Sequence, residues 1–482
     1  MSCENARKPL GRVLVLGLGK TGEAVARYCA GLLGSRVECV TVYGGAKSAP
    51  GPATEALEAL GCTVVCGTED VEGAYDLCVS SPGISEFSDF FQAGAVHARE
   101  AIGEPEFAWR ESPRQWVAIT GTNGKTTTTT LARDLLRAGG LAATEVGNIG
   151  TLAVEQVPGR GADEWFVAEL SSYQLACAHE LHPRVAVLLN ITPDHLSWHR
   201  THENYVAAKE RVFRNLEAGD LAILSQDDAT CCQIMERLEA RDLRVCHLSC
   251  VADPGTPCAA FAREGLLVVR LDGVEHELVA ADSLAIRGEH NVENALAAAA
   301  LALEVGVSEA DVRRGLASFQ PLEHRIEPCG ELDGVAYVND SKATNVDATE
   351  KALTAFPAGS IVLLLGGHDK GTALEELAAQ VAATCRVAVC FGEAGARFQE
   401  ALEAAEGTKG RSPNVPGVPD APLQVISAEH LADAVDAARA AARPGDVVLL
   451  SPACSSFDEF SGFEERGRVF KQIVADLAKA GE

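Results

Sequence analysis

Short apolar runs recur along this chain, each closed by a Gly, Ser or Asn cluster and separated from the next by Ala/Leu/Glu-rich stretches of helical period. They include Val13–Leu16, Val40–Val42, Leu77–Val79, Val117–Ile119, Phe166–Ala168, Val185–Leu189, Ile361–Leu365, Val387–Val389 and Val447–Leu450. Buried strands alternating with helices specify α/β units with mostly parallel sheets. In such sheets ligands sit beyond the C-terminal strand ends, so the clusters that close the runs are where chemistry is expected.

The 482 residues correspond to roughly three domains at about 150 residues each. The polar, Pro-containing stretch from Gly103 to Arg114 and the pair Gln320-Pro321 are the boundary candidates, giving regions 1–103, 104–321 and 322–482. Hydrophobic residues at 47% and charged residues at 23% exclude disorder for the bulk of the chain. The 41 Lys and Arg against 68 Asp and Glu give a net charge of −27. That charge argues against nucleic acid or anionic membranes as partners, but not against a small anionic ligand, which feels only local cations. The 16 Cys include no CxxC pair, so a zinc ribbon is not expected. With no secretory signal they read as reduced, buried small side chains of a cytoplasmic protein. No run approaches the roughly 18 apolar residues of a membrane span. The stretch from Gly407 to Pro422, rich in Gly, Pro and Ser, reads as a surface loop.

The densest chemistry follows the run Val117–Ile119: Thr120-Gly-Thr-Asn-Gly-Lys-Thr-Thr127, then a helical stretch. A Gly-rich turn between strand and helix aims backbone N–H groups at an anion. Lys125 adds a cation for phosphates and Thr126 a hydroxyl for Mg²⁺. The strict G-x-x-x-x-G-K-[ST] pattern is not met, because Ile119 stands at its first Gly. Glu169, at the end of the run Phe166–Ala168, is a natural Mg²⁺ ligand beside such a loop, or a helix-N-terminal acid. In Asn190-Ile-Thr-Pro-Asp-His195-Leu-Ser-Trp-His199 the two His stand four apart, but Leu196 replaces the Glu that a zinc-protease helix needs. Taken alone, His195 reads as a loop histidine and Lys209 as a surface lysine. Asn291 and Asn294, three apart, open an Ala-rich helix on one face; taken alone they read as a capped polar first turn. Gly17-Leu-Gly19-Lys-Thr-Gly22 matches G-x-G-x-x-G, but no acid ends the following strand at Tyr43-Gly44, which disfavours NAD.

The run Thr120–Thr127 resembles the phosphate-binding loop of the Mur ligases and folylpolyglutamate synthases, which use ATP to join a carboxylate to an amine. Some eight motifs follow in the Mur order and cover all three regions. The string Asn339-Asp-Ser-Lys-Ala-Thr-Asn345 resembles the Mur branch that adds D-glutamate to UDP-N-acetylmuramoyl-L-alanine. The Asp-Asn-Pro-Arg motif of the diaminopimelate-adding branch does not occur.

The resemblance implies a Rossmann-like N-terminal domain, a P-loop central ATPase domain and a Rossmann-like C-terminal amino-acid-binding domain. It implies an ADP-forming ligase of cytoplasmic peptidoglycan precursor synthesis, and so of cell wall biogenesis, cell shape, cell division and the cell cycle. ATP would be held by Gly121, Thr122, Asn123, Gly124, Lys125, Thr126, Thr127, Asn291, Asn294, Arg325 and Asp340. The UDP substrate would meet Lys20, Thr21, Ser81, Gly83 and Asn148; D-glutamate would meet Thr344, Lys370, Ser456 and Phe463. Two Mg²⁺ ions are implied, one on Thr126 and Glu169 and one on His195 and a carbamylated Lys209. Lys125, His195, Lys209 and Lys342 would carry catalysis, in a monomer. The sequence departs from the resemblance at Gly44, where an acidic residue usually meets uridine. The competing readings are a ligase of the same fold with another acceptor or amino acid, a non-catalytic UDP-sugar-binding regulator, and an NAD-dependent dehydrogenase.

Overall fold

The computed structural model describes residues 8–369, 371–408 and 422–481. Lys370 and residues 409–421, most of the Gly/Pro/Ser-rich stretch, lie outside them. Three sheets account for the strands. The first contains β1 (Gly11–Leu16), β2 (Val37–Tyr43), β3 (Thr63–Val65), β4 (Leu77–Ser80) and β5 (Ala101–Gly103), all parallel, in the order β3-β2-β1-β4-β5. The second contains β6 (Trp116–Thr120), β7 (Ala143–Gly147), β8 (Trp165–Glu169), β9 (Val185–Leu188), β10 (Leu221–Ser225), β11 (Arg244–Ser249), β12 (Ala259–Arg263), β13 (Leu266–Leu271) and β14 (Val274–Ala280). Its order is β14-β13-β12-β11-β10-β9-β6-β8-β7, parallel from β7 to β12 and antiparallel across β12, β13 and β14. The third contains β15 (Glu327–Leu332), β16 (Val335–Asn339), β17 (Ile361–Gly366), β18 (Cys385–Phe391), β19 (Gln424–Ser427) and β20 (Val447–Ala453), in the order β15-β16-β20-β17-β18-β19, with only β15 antiparallel.

Among the runs read as buried strands, every residue of β6, β9 and β17 is buried, and so is every residue of β10, which is not one of those runs. The antiparallel strand β14, Val-Glu-His-Glu-Leu-Val-Ala, exposes most of its length. An edge strand carrying charges resists pairing with another chain.

By packing, the chain forms two compact units. One comprises residues 1–283 and 293–317, and the other residues 284–292 and 318–482. The first unit holds two sheets, because the connection between them is tied to both. Helix Glu104–Glu111 starts with Glu104, Pro105 and Glu106, residues suited to a helix N-terminus. Its three glutamates are all buried. Glu111 receives both terminal nitrogens of Arg36 (2.6 and 2.7 Å) and the hydroxyl of Tyr28 (2.6 Å), from the first sheet and its helix. Glu106 accepts the backbone N–H groups of His179 and Glu180, and Glu104 that of Val154 (2.7 Å), all from the second sheet's connections. One continuous apolar core spans both sheets, from Val13 and Val79 to Trp116 and Leu188. The second unit builds its core on both faces of the third sheet. Among the described residues no helix is long and apolar enough to cross a membrane.

Candidate active site

The loop after β6 folds over its own lysine. Gly124 has φ +84, and a Cβ there would run into the Asn294 carboxamide, so only Gly fits between the loop and that side chain. Helix Lys125–Ala138 then begins with its first N–H groups at the strand end. Lys125 Nζ donates to the carbonyls of Gly121 (2.9 Å) and Thr122 (2.8 Å). Asn190, beyond the end of β9, clamps the far side: its backbone carbonyl accepts Thr122 N–H (2.9 Å) and its Oδ1 accepts Asn123 N–H (2.9 Å). Thr127 and Thr128 are buried in the helix, and Thr128 Oγ1 donates to Asn294 Oδ1 (3.1 Å).

The neighbouring strand ends deliver the charged groups. In the parallel pairing of β6 and β8, Ile119 lies opposite Glu169, which puts the carboxylate beside the loop. Glu169 is 2% exposed. Its Oε1 accepts Asn148 Nδ2 (2.7 Å), while Oε2 is buried with no hydrogen-bond partner among the described residues. An unpartnered buried carboxylate oxygen is costly and calls for a cation.

Lys209, from helix His202–Glu210, is 1% exposed. Its Nζ donates to the same Gly121 carbonyl (2.6 Å) and lies 4.8 Å from the centre of the Tyr205 ring. Burial, and then the neighbouring Lys125 charge, hold this amine well below the usual lysine range. A neutral, nucleophilic amine is the form that CO₂ carbamylates.

His195 stands in the left-handed region (φ +55), half-exposed, with its ring 4.8 Å from Tyr173 and 6.4 Å from Tyr205. Trp198 stacks on the same Tyr173 ring at 4.6 Å. His199 instead is fully buried and paired with Ser172 Oγ (2.9 Å); burial, and then His195 and Lys209, push it down to about 4. The two histidines therefore do not form a metal pair. Among the described residues no group of three or more His, Cys, Asp or Glu is arranged as a metal cage. Mg²⁺, which takes one or two carboxylates and completes its shell with phosphate oxygens and water, needs none.

In the first sheet, Gly17 to Gly22 turn from β1 into helix Lys20–Ala30. Lys20 is exposed and Thr21 half-buried, while Ser81 Oγ, beyond β4, is buried without a partner among the described residues; Gly83 is exposed. At Gly44 the space a side chain would take is filled by Ser48 Oγ, which donates to Gly45 O (2.6 Å) and accepts Gly67 N–H (3.2 Å).

In the second unit, Asp340 follows β16, buried, accepting Ser451 Oγ (2.8 Å) and Ile326 N–H (3.2 Å); burial pushes it up to about 7. Arg325 is flanked by two residues with positive φ, His324 (+64) and Ile326 (+43). For a β-branched residue this is real strain, and Asp340, Asn339 and the Lys342 N–H hold the arch in place. Lys342 Nζ lies 3.7 Å from the centre of the Phe463 ring. Thr344 follows on the same loop, which Asn345 closes by capping helix Val346–Leu353. Ser456, 2% exposed, has a hydroxyl with no partner among the described residues. Asn291 Nδ2 donates to Arg287 O (2.7 Å). It packs with the second unit, whereas Asn294, one turn on in the same helix, packs with the first.

The Mur ligase middle domain model matches residues 119–302, and the Mur ligase glutamate ligase domain model matches residues 324–454. UDP-N-acetylmuramoylalanine–D-glutamate ligase of Pelotomaculum thermopropionicum is 37% identical over 470 residues, 97% of this chain and 98% of its own. The enzyme of that name from Koribacter versatilis is 38% identical over 471 residues, again 97% and 98%. This chain belongs to the Mur ligase family. Solved structures agree at the level of the fold. A pseudomurein peptide ligase type C from Methanothermus fervidus aligns with TM-score 0.57 at 16% identity, over 97% of this chain and 99% of that one. MurC from Thermotoga maritima aligns with TM-score 0.54 at 18% identity, over 98% and 100%.

Of the residues that the Mur resemblance singles out, Gly121 to Thr127, Asn148, Glu169, Lys209 and Asn294 gather around one strand-end loop of the first unit. Arg325, Asp340, Lys342, Thr344, Ser456 and Phe463 gather at the strand ends of the second. Lys370 lies outside the described residues. Two participants did not stand out by residue type: Asn190, which clamps the loop, and Tyr205, whose ring lies near both His195 and Lys209. Tyr205 carried a signal, standing four residues before Lys209 on one helical face.

Proposed function

We propose that the chain is the ADP-forming ligase that adds D-glutamate to UDP-N-acetylmuramoyl-L-alanine in peptidoglycan precursor synthesis. The observation that carries this reading is identity of 37–38% over 97% of the chain with two such ligases, in a protein that keeps a lysine-bearing Gly loop beside a buried carboxylate oxygen with no partner among the described residues. ATP and a UDP-sugar as substrates point to the cytoplasm, and we read the enzyme as a monomer of three functional regions, 1–103, 104–321 and 322–482.

The loop Gly121–Thr127 cradles the ATP phosphates with backbone N–H groups, and Lys125 exchanges its two carbonyl partners for phosphate oxygens as the γ-phosphoryl group moves to the substrate carboxylate. The resulting acyl phosphate is attacked by the D-glutamate amine, and phosphate leaves. Asn291, Asn294, Arg325 and Asp340 hold the nucleotide. Lys20, Thr21, Ser81, Gly83 and Asn148 hold the UDP substrate. Lys342 faces the reacting groups, and Thr344, Lys370, Ser456 and Phe463 hold the incoming amino acid.

The Glu169 oxygen without a partner among the described residues, and the buried Lys209 amine whose protonation burial disfavours, fit two Mg²⁺ ions. Thr126 and Glu169 would hold one, and His195 and carbamylated Lys209 the other. Bound Mg²⁺ would supply charge neutralisation at the phosphates.

The test is incubation of the protein with UDP-N-acetylmuramoyl-L-alanine, ATP and Mg²⁺, with and without D-glutamate, following phosphate release and product mass. D-glutamate-dependent phosphate and a product heavier by one glutamyl residue are expected. Phosphate release that ignores D-glutamate and responds to another amino acid would refute the reading.

A further inference from the structure

Arg466 is among the largest fully buried side chains of the protein, with no measurable exposure. It lies in the first turn of helix Phe463–Gly481, behind the ends of β16, β17 and β20. All five of its N–H donors are used, and among the described residues none meets a carboxylate. Nε donates to Ser341 Oγ (3.0 Å). Nη1 donates to the carbonyls of Gly366 (3.5 Å) and Ser455 (3.2 Å), and Nη2 to those of Ser341 (2.9 Å) and Cys454 (3.0 Å). Ser341 Oγ in turn donates to Phe463 O (2.8 Å), closing the circuit on Arg466's own helix.

A buried guanidinium held by carbonyls rather than by an ion pair is expensive to desolvate, and a planar fork is the one cation that can hold several carbonyls at fixed angles. Its partners are the neighbours of the residues that the functional reading assigns to the amino acid. Ser341 adjoins Lys342 and precedes Thr344, Ser455 adjoins Ser456, Gly366 opens the loop that leads to Lys370, and Phe463 shares the helix. Ser456 itself presents a buried hydroxyl with no partner among the described residues. The guanidinium also puts positive charge beneath three strand ends, where a dicarboxylate would bind.

We infer that Arg466 is the positioning residue of the D-glutamate site, fixing the three strand-end loops in register through one guanidinium. The inference rests on the ligase reading above. Arg466 touches no substrate; it sets where Lys342, Thr344, Ser456 and Phe463 stand.

The experiment is steady-state kinetics of Arg466→Lys, which keeps the charge and loses the fork, and of Ser341→Ala, which removes only the hydroxyl under Nε. Apparent KM values for D-glutamate, ATP and the UDP substrate are measured separately, with melting temperature and circular dichroism for each variant. For Arg466→Lys the D-glutamate KM is expected to rise about tenfold or more while the ATP KM stays within about twofold. For Ser341→Ala a rise of about threefold in the D-glutamate KM alone is expected. An unchanged D-glutamate KM in a folded Arg466→Lys, or KM values for all three substrates rising together, overturns the inference. If Arg466→Lys does not fold, Ser341→Ala decides on the same criterion. Wild-type protein that saturates with a different amino acid overturns the ligase reading. Wild-type protein that saturates with D-glutamate beside variants of unchanged KM overturns this inference alone.

Discussion

The chain builds the same local device twice. After β1 and after β6, a Gly-rich turn leads into a helix that opens with Lys-Thr, Lys20-Thr21 in one case and Lys125-Thr126 in the other. The surroundings differ. The first lysine is exposed, and the adjacent strand ends offer Tyr43-Gly44 and Ser80-Ser81, with no carboxylate. The second is folded onto its own loop, with buried Glu169 on one neighbouring strand, Asn190 on the other and buried Lys209 below. A strand–turn–helix supplies an anion site at most. Whether phosphate is only held or also transferred depends on what the neighbouring strand ends bring. That is why G-x-G-x-x-G at Gly17 carries so little information by itself.

Substitution of the two lysines should separate the devices most sharply. Lys125→Ala is expected to lower kcat about 10³-fold, the scale of removing one preorganised charge from a transition state. Lys20→Ala should raise the KM for the UDP substrate only several-fold with kcat nearly intact. Equal effects on kcat in phosphate-release assays would erase the distinction. Next in size is Lys209→Met, which fills the same space without an amine. A fall in kcat of about 100-fold with the melting temperature retained is expected. Lost stability with retained kcat would make Lys209 a structural residue.

The buried acids sharpen the contrast through pH. Glu104 also has a buried Oε2 without a partner among the described residues, and burial pushes this carboxyl up from 4.5 to about 7. Between those values the folded state binds its proton more tightly than the unfolded chain does. Stability from this group is therefore lost as pH rises from 4.5 to 7 and stays lower above. Glu104→Gln should then gain on the order of 2 kcal/mol at about pH 8 and nothing at about pH 4.5, measured by denaturant unfolding. No gain on the alkaline side would mean that Glu104 is charged and paired. The smallest effect is expected at Gly44. Gly44→Asp should cost about 1 kcal/mol in stability through collision with Ser48, and Ser48→Gly in the same chain should recover it. Unchanged stability in the Gly44→Asp protein would show that the turn has room.

Much of the architecture was legible because its signals are local. Each of the nine apolar runs coincides with a strand, its ends falling within three residues of the strand's, since a doubly buried parallel strand needs continuous apolar sequence. The hairpin edge β12–β14 was not legible, because its charged alternation reads as a loop until it has a partner to pair with. Nor was the sharing of one unit by two sheets. Glu104, Glu106 and Glu111 read as a polar linker, and only their distant partners Val154, His179 and Arg36 turn them into buried ties. At the site, Gly121 to Thr127 and Glu169 were readable because strand ends and turns are written in neighbouring residues. The burial of Lys209 and Arg466 was not. Each sits on a helix of mixed composition, and what removes it from water is the packing of segments 88 and 125 residues away.

The ties made by helix Glu104–Glu111 also govern how the molecule comes apart. With one apolar core running through both sheets and both ends of the connecting helix held by carboxylate hydrogen bonds, opening the first sheet alone would leave the buried Glu111 carboxylate without Arg36 and Tyr28. The two sheets should therefore lose their amide-exchange protection together. A calorimetric trace of this chain would contain at most two cooperative transitions for its three sheets.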